Sequence, residues 1–157
     1  MRIAMHLSIS EIEQKICAEL PEMEFIHIPR SGDIPDIIEV DVLLTLGYRA
    51  DNLKEVIANC QGLRWIHVYG TGIDEFPLDC IGDEVLTCSR GVSTIPISEW
   101  VLATMLAYEK RLPESWISSQ PDYWSTAQLG TLYGKTLGLI GLGTIALVRQ
   151  HGIRITP

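Results

Sequence analysis

The sequence predicts an α/β fold built on an open parallel sheet. Two observations predict it. Five short apolar runs in the first 89 residues alternate with segments of helical periodicity. That alternation calls for crossover connections and hence parallel strands. A sixth apolar run, residues 137–142, leads directly into a glycine-rich turn, as strands that feed a helix do.

Residues 1–7 are the first expected strand. Ser8-Ile9-Ser10 then offers hydroxyl caps, and Ser10 with Glu13 three residues on forms a capping box. Ile9, Ile12, Ile16, Cys17 and Leu20 recur at helical spacing until Pro21 stops the helix. Residues 23–28 form the second strand, Ser31-Gly32-Asp33 a turn, and residues 34–39 a short helical segment. Residues 40–46 are nearly all apolar and form the third strand, closed by Gly47. The next helix opens at Asp51 or Asn52, sets Leu53, Val56, Ile57 and Cys60 on one face, and ends at Gln61-Gly62. Residues 63–69 and 85–89 complete the set of strands.

Up to Arg90 this order suits a flavodoxin-like domain. Ligands of such sheets sit beyond the carboxyl ends of the strands. Two loops lie there: Gly47-Tyr48-Arg49 and Gly70-Thr71-Gly72-Ile73-Asp74. The second has two glycines in three residues, which leaves backbone N–H groups able to face an anion. The residues alone favour the plainer reading, a tight turn without a ligand.

A long helix follows over residues 95–112. Ser93 and Thr94 can cap it, Pro96 suits its first turn, and Lys110 and Arg111 suit its carboxyl end. Residues 100–108 are apolar on nearly every side, so this helix is expected to pack against a second domain, a partner subunit, or both. The polar stretch 113–132 carries Trp116, Tyr123 and Trp124, as interface anchors or as cover for the core.

The net charge is −8, divided unevenly. Residues 1–109 hold seven Lys/Arg against 18 Asp/Glu, and residues 110–157 five against two, which fits a change of domain. An acidic chain without a basic stripe argues against nucleic acid and anionic membranes. No run of 18 apolar residues is present. Residues 1–6 lack the apolar core of a leader, so the expected location is cytoplasmic. Cys17, Cys60, Cys80 and Cys88 form no C-x-x-C pair, and neither a disulfide framework nor a metal site is expected.

The sixth run leads into Gly141-x-Gly143-x-x-Ala146, the dinucleotide fingerprint with alanine in third place. Gly141 permits the tight turn, Gly143 lets a pyrophosphate approach the backbone, and Ala146 lets the helix pack on its strand. The N–H groups at the helix start, from Thr144 and Ile145, would meet the phosphates. Residues 137–142 are expected to be a buried parallel strand. Eleven residues remain after Ala146, too few for a crossover helix, a second strand and the acidic residue that reads the ribose. NAD and NADP are therefore not distinguished.

Four blocks resemble the D-isomer-specific 2-hydroxyacid dehydrogenases, the group of glyoxylate/hydroxypyruvate reductases and phosphoglycerate dehydrogenases. They are Leu63-Arg64-Trp65-Ile66-His67-Val68-Tyr69-Gly70-Thr71-Gly72-Ile73-Asp74, then Ser89-Arg90-Gly91-Val92-Ser93-Thr94-Ile95-Pro96-Ile97-Ser98-Glu99-Trp100-Val101-Leu102, then Arg111-Leu112-Pro113-Glu114, and Leu132-Tyr133-Gly134-Lys135-Thr136-Leu137 running into the glycine turn. The resemblance implies three parts. Residues 1–92 would be a flavodoxin-like substrate domain, 93–132 an interdomain and dimerisation helix with its linker, and 133–157 the truncated start of an NAD(P)-binding Rossmann domain.

It also implies hydride transfer between NAD(P)H and a 2-keto acid, giving a D-2-hydroxy acid, in a homodimer joined through the 95–112 helix. Thr71 and Gly72 would present backbone N–H groups to the substrate carboxylate, which reverses the plainer reading of that loop, and Gly47 would join them in the substrate site. Gly141, Gly143, Thr144 and Ile145 would hold the cofactor. The Arg, Glu and His of the family's chemistry lie beyond this chain, so no catalytic residue is assigned. His151 does not match the family's histidine, and His6, His27 and His67 read as structural. By the same resemblance, Trp124 would belong to the segment that reaches the partner's active site in some relatives. The alternative, from a different class, is a non-catalytic α/β domain that binds a small carboxylate or dimerises.

Overall fold

The structure is a computed structural model, and it describes residues 1–7, 10–47, 50–120, 122 and 128–147. The chain divides into two compact units, Met1–Arg90 and Gly91–Pro157.

The first unit is a five-stranded parallel sheet. Its strands are β1 (Arg2–His6), β2 (Glu24–His27), β4 (Val42–Thr45), β6 (Trp65–Val68) and β7 (Val85–Cys88), in the spatial order β2-β1-β4-β6-β7. All four pairings are parallel. The helices α1 (Ser10–Glu19) and α2 (Leu53–Asn59) supply two of the crossovers. All five expected strands form, and the α/β parallel-sheet class holds.

Alternation along β1 and β4 builds two cores. Ala4 and Leu43 point to one face and join Ile66, Val68, Leu53, Val56 and Ile57. Ile3, Met5, Val42 and Leu44 point to the other, where Ile16 and Cys17 of α1 pack against them. Strands buried on both faces read as unbroken apolar runs, as residues 40–46 do. The helix α1 has no fully buried residue, so it is a thin cover.

Two expectations fail here. Residues 34–39 are not helical. Pro35 disfavours the helical region for Ile34 before it, and the segment ends instead in β3 (Ile38–Glu39). Cys60 is not on the α2 face. Its backbone is extended, with φ −71° and ψ 125°, and it forms β5 (Cys60–Gln61), which pairs in parallel with β3. Burial pushes its thiol up to about 11, so it is an inert packing residue.

The second unit begins with α3 (Thr94–Glu109), matching the expected long helix to within three residues at its end. Only Thr94 and Ser98 are buried along it, while Trp100 is 67% exposed and Tyr108 82% exposed. The helix end is tied down by charge. Lys135 pairs with the Glu109 carboxylate. Lys110 Nζ donates to the Gly130 carbonyl at 2.7 Å, and Gly130 N–H donates to the Glu109 carbonyl at 2.8 Å.

The expected strand over residues 137–142 does not form. A parallel strand needs a neighbour for its N–H and C=O groups, and among the described residues this unit holds no other strand. Ile140 is left 108% exposed. Among the described residues no helix is long and apolar enough to cross a membrane.

These differences in burial set a direct comparison. Ile66→Ala, in the middle of the sheet with no exposed surface, is expected to cost about 2–5 kcal/mol in urea unfolding. Ile140→Ala should stay within about 0.5 kcal/mol of the parent.

Candidate functional site

β4 and β6 are adjacent, with Thr45 opposite Val68 at their carboxyl ends. The loops that follow them therefore emerge side by side. Tyr69 N–H donates to the Thr45 carbonyl at 2.7 Å, which carries the pairing one residue past the strands.

Gly47 turns the chain at the end of β4 with φ +71°. A Cβ there would stand 2.9 Å from Val68 Cγ1 and 3.3 Å from Phe76 Cδ2. Glycine is required twice over, by the left-handed backbone and by the approach to β6. Tyr48 and Arg49 lie outside the described residues.

Thr71 and Gly72 are exposed at the end of β6. Their loop is held to β7: Thr71 Oγ1 donates to the Ser89 carbonyl at 3.4 Å, and Ser89 N–H donates to the carbonyls of Val68 at 3.2 Å and Gly70 at 3.1 Å. A Cβ on Gly72 would meet only Asp74 Oδ2, at 3.1 Å. The Asp74 carboxylate thus stands beside the glycine.

A recess of about 220 Å³ borders Gly47 and is lined also by Ala50, Asp51, Leu53, Lys54, Glu75 and Pro77. Thr71 and Gly72 do not line it. Its cation is already engaged, because Lys54 Nζ donates to Asp79 Oδ2 at 2.8 Å. That contact raises the Lys54 pKa and lowers the Asp79 pKa. With Asp51 and Glu75 beside it, the recess does not suit a carboxylate.

Beneath the Gly47 turn lies a network that the sequence reading took as merely structural. His6 has no exposed surface. Its Nδ1 is 2.9 Å from Thr45 Oγ1 and its Nε2 is 3.1 Å from Asn52 Oδ1. Asn52 Nδ2 donates to the Pro29 carbonyl at 2.9 Å, and Gly47 N–H reaches Thr45 Oγ1 at 3.4 Å. Burial holds the His6 pKa below the ordinary 6.5; the Asn52 bond opposes this and the charge of Arg30 reinforces it. A polar residue inside the apolar β1 run was the available signal.

A second histidine braces the other loop. His67 Nδ1 is 2.8 Å from Thr87 Oγ1, which also accepts from Trp65 Nε1 at 2.8 Å, and Ser89 Oγ lies 3.3 Å from His67 Nε2. Burial lowers the His67 pKa. Both imidazoles thus lie beneath the loops and bond to residues at the strand ends. His27 is the outermost, on edge strand β2, where its Nδ1 faces Glu13 at 3.5 Å.

In the second unit Gly141 has φ +90°, and a helical segment starts at Thr144, with Leu147 N–H donating to the Gly143 carbonyl at 3.1 Å. Thr94 Oγ1 donates to Thr144 Oγ1 at 3.0 Å, fixing the turn to the start of α3. Where a Cβ would stand on Gly141 or Gly143 there is open space. The backbone of the turn is therefore open to approach. The strand that should present it is missing, and nothing for the ribose follows among the described residues. Trp124 and His151 lie outside the described residues. No group of three His, Cys, Asp or Glu side chains among the described residues is placed to hold a metal ion.

Comparison with known proteins follows the same outline. No family model matches the chain. It is 29% identical over 136 residues to a D-3-phosphoglycerate dehydrogenase of Methanocaldococcus jannaschii, covering 83% of this chain and 26% of that protein. It is 29% identical over 129 residues to a glyoxylate reductase of Thermococcus litoralis, covering 74% of this chain and 38% of that protein. The chain thus spans well under half the length of these relatives. Among solved structures, a D-isomer-specific 2-hydroxyacid dehydrogenase family protein of Aeromonas salmonicida superposes with TM-score 0.67 at 24% identity, over 92% of this chain and 47% of that one. The D-lactate dehydrogenase of Escherichia coli superposes with TM-score 0.62 at 16% identity, over 96% and 51%. The solved structures share the fold.

The glycine geometry and the buried imidazole each set a test. Gly47→Ala should destabilise by about 2–4 kcal/mol, from left-handed strain and overpacking together. Gly32→Ala, with φ +82° and open space around it, should cost only the strain, about 1–2 kcal/mol. For pH, folded His6 stays neutral where unfolded His6 takes up a proton, so stability is full above pH 6.5 and falls as pH drops below it. His67, also lowered by burial, adds a slope of the same sign that the His6 variant keeps, while Asp41 and Asp79, both with lowered values, act only near and below 3.8. Thermal unfolding between pH 7.5 and 5 should slope downward in the parent and less steeply in His6→Asn.

Proposed function

We propose that this chain, whose homologues are D-2-hydroxyacid dehydrogenases, is part of an oxidoreductase that moves hydride between NAD(P)H and a 2-keto acid to give a D-2-hydroxy acid. Residues 1–92 are the substrate domain, 93–132 the interdomain and dimerisation segment, and 133–157 the start of the cofactor domain. The observation that carries the reading is the pair of glycine loops at the carboxyl ends of adjacent strands β4 and β6. That is where an open parallel sheet takes its ligands.

In this reading the backbone N–H groups of Thr71 and Gly72, helped by Gly47, hold the substrate carboxylate and so orient the keto carbon. The Thr71 bond to Ser89 keeps that loop in place. Gly141, Gly143, Thr144 and Ile145 receive the cofactor's pyrophosphate, which the open backbone there favours. When bound, the nicotinamide supplies or accepts the hydride. Proton transfer to the substrate oxygen needs an acid/base that this chain does not assign, and the chain alone is expected to be inactive. The exposed apolar residues of α3, Trp100, Leu106 and Tyr108 among them, are where a second copy joins. A cytoplasmic location belongs to the same proposal.

A second reading is favoured by one observation. Residues 137–142 form no strand, so the nucleotide half of the site is not built. The chain would then be a non-catalytic domain that binds a small carboxylate or dimerises.

Oxalate, a stable stand-in for a 2-keto acid, should raise the melting temperature of the purified chain. Gly72→Leu should abolish that shift without unfolding the chain, since Gly72 is not in the left-handed region. NADH should shift the Gly141 and Gly143 amide resonances weakly, with no NADH oxidation in the presence of glyoxylate or hydroxypyruvate. Oxalate binding with silent glycines favours the second reading. Turnover by the chain alone contradicts its expected inactivity, and absence of oxalate binding contradicts the carboxylate site of both readings.

A further inference from the structure

The buried network beneath Gly47 has a single direction. Asn52 Nδ2 must donate to the Pro29 carbonyl, 2.9 Å away, because a carbonyl only accepts. Asn52 therefore turns Oδ1, an acceptor, toward His6 Nε2 at 3.1 Å. His6 Nε2 must carry the proton. A neutral imidazole then has a bare Nδ1, which can only accept, so the Thr45 hydroxyl at 2.9 Å donates to it. With its hydrogen committed, Thr45 Oγ1 presents lone pairs toward the Gly47 N–H at 3.4 Å. The chain of donors runs from Gly47 through Thr45, His6 and Asn52 to Pro29 without a reversal.

These links join segments that are far apart in sequence. His6 closes β1, Thr45 closes β4, Asn52 precedes α2, and Pro29 follows β2. All but Pro29 are buried side chains, where an unmatched polar group costs most. The imidazole is the one member that both accepts from one neighbour and donates to another across a ring. It therefore sets which way the Thr45 hydroxyl points, and through it what the Gly47 amide meets.

We infer that His6 is a positioning residue, acting through Thr45 to fix the Gly47 backbone at the end of β4, next to the β6 end whose Thr71 and Gly72 meet a ligand carboxylate. The proposed function is used only to name that ligand. His6 touches no ligand itself. Protonation at Nδ1 would turn its acceptor into a donor and force the Thr45 hydroxyl to reorient. Burial of the ring disfavours the protonated state, and the charge of Arg30 adds to it.

The test begins on the unmodified chain. Nitrogen-15 spectra of the labelled imidazole at pH 7 should show the Nε2–H tautomer for His6. The Nδ1–H tautomer, or a doubly protonated ring, overturns the inference. Amide exchange then separates positioning from plain stability. In Thr45→Val the Gly47 amide should exchange at least tenfold faster relative to Ile66, whose amide reports the whole sheet. His6→Asn, which keeps an acceptor near the Nδ1 position, should stay within about threefold of the parent on the same ratio. His6→Gln, whose longer side chain carries its amide toward Asn52 and away from the Nδ1 position, should behave like Thr45→Val. Proportional changes at Gly47 and Ile66 in all variants overturn the inference, because they mean a merely structural role. Oxalate should bind Thr45→Val at least fivefold more weakly than the parent. If the parent binds no oxalate, the carboxylate reading fails, and tautomer and exchange still decide the role of His6.

Discussion

β4 is paired on both sides, with β1 through Val42 to Thr45 and with β6 over the same four residues. Both of its faces are buried, Leu43 in one core and Val42 and Leu44 in the other. A strand so placed has no freedom of register, since a slip of one residue would exchange its two faces and break two ladders at once. Everything of functional interest in the first unit hangs on that register. It puts Thr45 beside His6 and opposite Val68, sets Gly47 against Val68 and Phe76, and brings the Gly47 and Thr71 loops out of neighbouring strands.

Much of this was legible in the sequence because the signals were local. The strands announced themselves as apolar runs, and Gly47 and the Gly70-Thr71-Gly72 segment marked where two of them end. The helix Thr94–Glu109 follows directly on Ser93, where the sequence marked its start, although no side-chain capping bond forms there. What was not legible depended on partners distant in the chain. Ile38 and Cys60 are 22 positions apart, and neither carries a sign that they will pair. The helical expectation for residues 34–39 missed the force of Pro35 on Ile34. His6 looked like any histidine beside a strand, because its partners Thr45 and Asn52 lie about 40 residues on.

The residues after α3 show the limit of a motif. The chain turns at Gly141 with φ +90°, and a helical segment begins at Thr144. Residues 137–142 nevertheless remain outside any sheet. Apolar content disposes a segment to be a strand, yet only a neighbouring strand can satisfy its backbone. The motif is local chemistry, and the strand that should present it is a tertiary event. The exposed faces of α3 have the same cause: apolar residues on most sides of a helix need more surface than this unit supplies.

The central claim is that the glycine loops after β4 and β6 receive a carboxylate, and a crystal structure of the chain grown with oxalate tests it most directly. The expected density has one carboxylate accepting from the Thr71 and Gly72 backbone N–H groups, with Asp74 turned away from the glycine. Oxalate seated in the acidic recess beside Lys54, or bound nowhere on the first unit, would contradict the claim.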